Sequence, residues 1–213
     1  NTTFVGGNAN FRVAANFGAA TCNITFSNCT ATAQAGQAIY NAGTIAWSGT
    51  LNITQNAGSA QSAIYLISTT TGSISGAVTW RGYSIPFFCS HAAVNMTYVV
   101  TSITISGSIT SNANGGLWHV TAGTLTVDST AADMTMHTNA NGPFLVYATG
   151  GRCNYKGNVY LSSGAANHAF CTNNGGTIDH QSGTLYGPTT QQLSGAAMLT
   201  DRKSTRLNSS HAN

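Results

Sequence analysis

Short glycine-centred steps recur along this chain at a near-constant interval, and that interval limits the folds open to it. The most complete copy runs from His168 to Gly187, HAFCTNNGGTIDHQSGTLYG. It holds an apolar pair (Ala169, Phe170), then Gly175-Gly176-Thr177-Ile178, then Ser182-Gly183-Thr184-Leu185. Glycine permits a tight bend, and the Thr-Ile or Thr-Leu pair that follows suits a short strand. The first upstream copy is Ala38-Ile39-Tyr40, Gly43-Thr44-Ile45 and Ser48-Gly49-Thr50-Leu51. The second is Ala63-Ile64-Tyr65, Gly72-Ser73-Ile74 and Ser75-Gly76-Ala77-Val78. The third keeps Ala93-Val94 and Ser106-Gly107-Ser108-Ile109, and the fourth keeps Leu117-Trp118 and Gly123-Thr124-Leu125. The fifth has Phe144-Leu145, Gly151-Arg152-Cys153 and Gly157-Asn158-Val159.

Gly43 to Gly176 is 133 residues over five steps, and Gly49 to Gly183 is 134 over five, so both anchors give about 27. A β-rich period of that size is one coil of a solenoid, whose inner face is buried only by stacking on its neighbours. The prediction is all-β: a right-handed parallel β-helix of about six to seven coils. Gly43, Gly72, Gly123, Gly151 and Gly176 are expected to stack on equivalent positions. Residues 1–36 read as an irregular first part of the solenoid, with Cys22, Ile24 and Phe26 alternating as in a half-buried strand. Residues 37–200 carry the repeats. Residues 201–213, DRKSTRLNSSHAN, break both the period and the composition. They read as a translated sequencing adapter joined to a fragment, and are set aside from the fold.

Charged residues make up 5% of the chain against 42% hydrophobic, so the polar surface must be Ser, Thr, Asn and Gly. That balance excludes a disordered chain and suits an extracellular or virion β-structure. Glu is absent, and the acids are Asp128, Asp133, Asp179 and Asp201. Apart from the last thirteen residues, the body holds four basic residues against three acids. No basic patch for nucleic acid follows from that balance. No apolar run of about 20 residues is present, so no membrane insertion by a helix is expected. The five cysteines, Cys22, Cys29, Cys89, Cys153 and Cys171, are odd in number and lack CxxC spacing; they read as small buried side chains.

Glycoside hydrolysis needs two carboxylates flanking the bond. Asp128 and Asp133 are the nearest pair, and Asp179 lies roughly two coils on, about 10 Å along the axis. They are weak catalytic candidates, and solvated bend residues are the plainer reading. Three acids also fall short of the six to eight oxygens that Ca²⁺ takes. His91, His119, His137, His168 and His180 show no HxxxH or HxH spacing and read as surface or bend residues. Neither a metal site nor a cofactor is expected. A threonine ladder would suggest ice binding, but the Thr44 position becomes Ser73, Thr124, Arg152 and Thr177, which breaks it. The interval from Gly76 to Gly107 is the longest simple step, 31 residues. Its extra length coincides with the aromatic cluster Trp80, Arg81, Tyr83, Phe87 and Phe88. Insertions in solenoids bulge from one face, often the binding face, so these five are the candidate ligand-binding residues. A subunit seam and plain core stacking compete for the same rings.

The copies AFCTNNGGTIDHQSGTLYG and AIYNAGTIAWSGTLNI resemble repeats of bacteriophage and prophage tail-fibre and tailspike proteins with a pectin-lyase-like β-helix. The resemblance covers about residues 37–187. It implies a homotrimeric virion appendage that meets a host cell-surface polysaccharide. Some members cleave polysaccharide and many only bind it or act as shafts, and the expectation for this chain is a structural, non-enzymatic host-recognition role. Two alternatives stand beside it: a polysaccharide lyase or hydrolase of the same fold, and a bacterial surface adhesin.

Overall fold

The computed structural model describes residues 3–5, 22–33, 37–41, 43–55, 62–80, 86–105, 117–132, 134–136, 146–148, 150–161, 171–173, 175–186 and 193–195. All the regular structure among them is strand. The first eight strands are β1 (Thr3–Val5), β2 (Cys22–Ala33), β3 (Ile39–Asn41), β4 (Ile45–Gln55), β5 (Ile64–Leu66), β6 (Thr70–Trp80), β7 (Phe87–Ile105) and β8 (Trp118–Asp128). The rest are β9 (Met134–Met136), β10 (Val146–Ala148), β11 (Arg152–Lys156), β12 (Val159–Leu161), β13 (Cys171–Asn173), β14 (Thr177–Ser182), β15 (Leu185–Tyr186) and β16 (Leu193–Gly195).

Each of these strands pairs parallel with the strand of the next coil, as in a solenoid. A first face stacks β3, β5, the start of β7, the start of β8, β10, β13 and β16. A second face stacks the middle of the coil, from the first half of β2 through β4, β6, β7 and β8 to β11 and β14. A third face carries β1 and the ends of β2, β4, β6 and β7. In the later coils β9, β12 and β15 follow the second face and pair as a separate three-stranded sheet. The long strands turn corners where the register slips, between Phe26 and Cys29 and again between Gly76 and Ala77. An added residue at such a slip sharpens the local bend, which is how one strand serves two faces.

One column of the second face runs Asn23–Ala46–Thr71–Asn95–Thr124–Arg152–Thr177 in register. Its ends are 154 residues apart over six steps, a mean period of about 26. The parallel β-helix expected from the repeats is the fold that forms.

Alternation places the core. On β6 the burial pattern from Ile74 to Trp80 is strictly alternate, as a strand with one face inward requires. Inward columns hold Ile39–Ile64–Phe87–Trp118 on the first face and Ala31–Ile53–Val78 on the third. On the second face they hold Met96–Leu125–Cys153–Ile178 and Ile74–Tyr98–Val127–Tyr155–His180. Trp47, Trp80 and Trp118 are among the largest side chains fully buried. Burying each contributes roughly 1.5–3 kcal/mol. Inside this core the Tyr98 hydroxyl donates to the Leu51 carbonyl at 2.7 Å.

Several details differ from the sequence expectation. Gly123, Gly151 and Gly176 do precede the in-register residues Thr124, Arg152 and Thr177 and so stack. Gly43 precedes that column by two residues, because Ile45 pairs Thr70, while Gly72 follows it by two and lies against Trp47. The first-face slot of the third coil is Phe87-Phe88 rather than Ala93-Val94. Within the aromatic stretch, Trp80 ends one third-face strand and Phe87 begins the next coil, and residues 81–85 lie outside the described residues. β1 pairs with β2 and β2 with β4, so the stretch before residue 37 contributes regular strands to the solenoid. Cys29, Cys89 and Cys153 are buried thiols, whereas Cys22 is exposed. Residues 201–213 lie outside the described residues.

Candidate recognition surface

On the first face, Ile39 and Asn41 point inward, so Tyr40 between them points outward. The same parity repeats each coil and lines up Tyr40, Tyr65, Phe88 and His119. Tyr40 and Tyr65 stack at 5.7 Å between ring centroids, and Tyr65 and Phe88 at 4.8 Å, each pair within 5° of parallel. His119 meets Phe88 edge-on at 4.7 Å and 85°. It is buried, and that burial pushes its imidazole down to about 4, so it is neutral near pH 7. Because the parallel rings cover one another's faces, the column presents ring edges to solvent rather than open platforms.

Of the five aromatic and basic residues expected to bind a ligand, only Phe88 belongs to this outward column. Trp80 and Phe87 are 1% and 0% exposed and pack inside the solenoid. Their alternation on β6 and β7 points them inward, so their rings are core and not a ligand platform. Arg81 and Tyr83 lie outside the described residues. Tyr40 and Tyr65 escaped the sequence reading because they sit beside an apolar pair that drew attention to the inner face. A second outward stack, Tyr160 on Tyr186 at 4.4 Å and 2°, lies on β12 and β15.

The third face carries an unbroken threonine ladder, Thr32–Thr54–Thr79–Thr104, which is not the column that the sequence reading followed. The second face is a hydroxyl and amide surface. One of its columns runs Ser73–Thr97–Thr126–Asn154–Asp179. The Asn154 amide donates to Thr126 Oγ1 at 3.2 Å.

All four charged Asp, Lys and Arg residues among the described residues lie on this second face, on three successive strands: Asp128 on β8, Arg152 and Lys156 on β11, Asp179 on β14. Asp128 Oδ1 accepts from the Thr130 hydroxyl at 2.7 Å and its backbone N–H at 3.1 Å, which fixes the turn after β8. Asp179 is fully buried, and its Oδ2 accepts from Arg152 Nη2 at 2.6 Å and from Gln181 Nε2 at 3.5 Å. Asp128 and Asp179 are two strands apart on one face, about 10 Å along the axis as the period implies. The Asp179 carboxylate is engaged by Arg152 and enclosed, which is not how a proton donor meets a substrate. Asp133 lies outside the described residues.

His119 and His180 are buried, against the expectation of surface positions. His180 Nε2 lies 3.1 Å from the Gly157 carbonyl, an inward anchor at a corner. His91 is half-buried and its Nδ1 accepts from the Ala93 N–H at 3.2 Å, while His137 and His168 lie outside the described residues. Among the described residues no group of three or more His, Cys, Asp or Glu gathers in a metal-binding arrangement. Among the described residues, no helix is long and apolar enough to cross a membrane.

No family model, curated protein or solved structure matches the chain.

Proposed function

We propose that this chain is the β-helical shaft of a host-recognition appendage, a phage tail fibre or tailspike of the pectin-lyase-like type. It binds surface polysaccharide and cleaves none. The observation that carries this reading is the register of the outward columns. Hydroxyl, amide and aromatic side chains repeat once per coil, at about 4.8 Å, along a rod with few charges. Such a surface offers many equivalent, weak hydrogen-bonding positions, which suits a repeating glycan or a neighbouring shaft. The homotrimer, the virion location and the resemblance of the repeats to tail-fibre coils belong to the same reading. The burial and ion pairing of Asp179 support the non-enzymatic part of it.

The test is direct. Purified chain is passed over an array of bacterial surface polysaccharides, its assembly is measured by sedimentation, and the bound glycans are assayed for new reducing or unsaturated ends. Binding by a trimer without cleavage is the expected result. New chain ends would establish the enzyme instead, and absence of binding to every polysaccharide would remove the recognition role.

A further inference from the structure

Charge is scarce in this chain, and its four described carriers share one face over three coils. Stacking does not require them there, because the neighbouring slots of the same columns are filled by Thr124, Thr126, Asn154 and Thr177. Enclosing the Asp179 carboxylate costs desolvation that the Arg152 pair must offset. What this arrangement produces is a guanidinium held in one place. Asp179 fixes Nη2, and the Asn154 side-chain oxygen accepts from Nε at 2.9 Å. Asn154 is itself held by Thr126. The Arg152 side chain is nevertheless 41% exposed. Its Nη1 edge carries two further donors that meet no acceptor among the described residues.

We propose that Arg152 is the centre of a binding site for a carboxylated polysaccharide, such as one containing uronic acid. This rests on the polysaccharide-recognition reading above and names the ligand class. A planar guanidinium whose inner edge is already fixed loses little freedom when its outer edge takes a carboxylate. Thr124 and Thr177 flank Arg152 in register one coil to either side, about 4.8 Å away, and supply hydroxyls for neutral sugar oxygens. Lys156 lies outward on the same strand, four residues or about 13 Å along, where a glycan chain reaches and a single small anion does not. Asp128 sits in register beside Lys156, so Arg152 is the stronger of the two cationic positions.

The experiment uses the full chain and one oligomannuronate in two forms, native and with its carboxyls reduced to alcohols. Binding is measured by calorimetry at low and raised salt, with sedimentation and circular dichroism on every variant. The native oligomer should bind more tightly than the reduced one, and the difference should shrink with salt. Arg152→Ala should weaken the native oligomer by about ten- to a hundredfold, the size of one charged hydrogen-bonded contact, and leave the reduced form unchanged. Arg152→Lys, which keeps the charge but lacks the fork, should fall between. It also serves if the alanine variant fails to fold. Equal binding of both oligomers, or wild-type affinity in Arg152→Ala, overturns this inference and leaves the recognition reading intact. Loss of assembly in Arg152→Ala with glycan binding retained overturns it in favour of a subunit seam. Failure of both forms to bind overturns this inference alone, and failure of every polysaccharide on the array described above overturns the recognition reading with it.

Discussion

The Ser129 hydroxyl oxygen lies 2.6 Å from the Tyr155 hydroxyl, one coil away in the buried interior. Ser129 also donates its single proton to the Lys156 carbonyl at 2.8 Å, so in this pair Tyr155 is the donor. The two bonds tie the turn after β8 to the next coil. Tyr155→Phe should therefore destabilise the fold by about 1 kcal/mol, and Ser129→Ala, which removes both bonds, by about 2 kcal/mol. Denaturant midpoints of the two variants check this order; a larger cost for the phenylalanine variant would contradict it.

Gly72 has a φ of 106°, and a Cβ there would collide with the Trp47 carbonyl of the preceding coil. Both the strained backbone and the backbone contact penalise any side chain. Gly72→Ala should cost at least about 3 kcal/mol, or prevent folding outright. A thermal unfolding curve that matches the wild type would show that the coils have more room than this geometry allows.

Trp80 and Phe88 belonged to one aromatic cluster in the sequence and have opposite fates in the fold. Trp80→Ala should cost about 3–5 kcal/mol through the cavity that it opens. Phe88→Ala, on the half-exposed column, should cost roughly 1 kcal/mol. Equal destabilisation in denaturant titrations would mean that the two rings are not on opposite sides of the sheet.

His119 gives a pH dependence whose sign follows from its folded value of about 4. The unfolded imidazole takes a proton near pH 6.5, and the folded one does not until about pH 4. Between those values the unfolded state binds more protons, so stability falls as pH falls through that window and is full above it. The loss should reach on the order of 3 kcal/mol near pH 4. His119→Phe should remove this component. Denaturant midpoints at pH 7 and pH 4.5 decide it, and an unchanged pH slope in the variant would refute the assignment.

The period and the fold class were legible because a coil of nearly constant length is written into the chain whatever the local composition. Register was less so. In a sequence this rich in Gly, Ser and Thr, a glycine step matches at several offsets, and Gly43 and Gly72 each miss the column by two. What sets the register is the inward apolar series Met96, Leu125, Cys153 and Ile178, whose spacing varies from 29 residues between Met96 and Leu125 to 25 between Cys153 and Ile178. The Arg152–Asp179 pair had a signal, since 27 residues separate the two, the period read from the glycines. It went unread because the contact is diagonal: the in-register partner of Arg152 is Thr177, not Asp179. Parity signals the burial of His180, which shares the inward column of Tyr155, but it sets His119 on the outward column, so the burial of His119 had no sequence signal.

One strand of each coil rests on the same strand of the coil before, from β2 through β14. A consequence is that length in this architecture is a modular quantity. Duplication or loss of one segment of about 26 residues changes the rod by one strand spacing, about 4.8 Å, and leaves the surfaces above and below still able to meet. A lineage built this way can adjust how far its tip stands from its base without redesigning either.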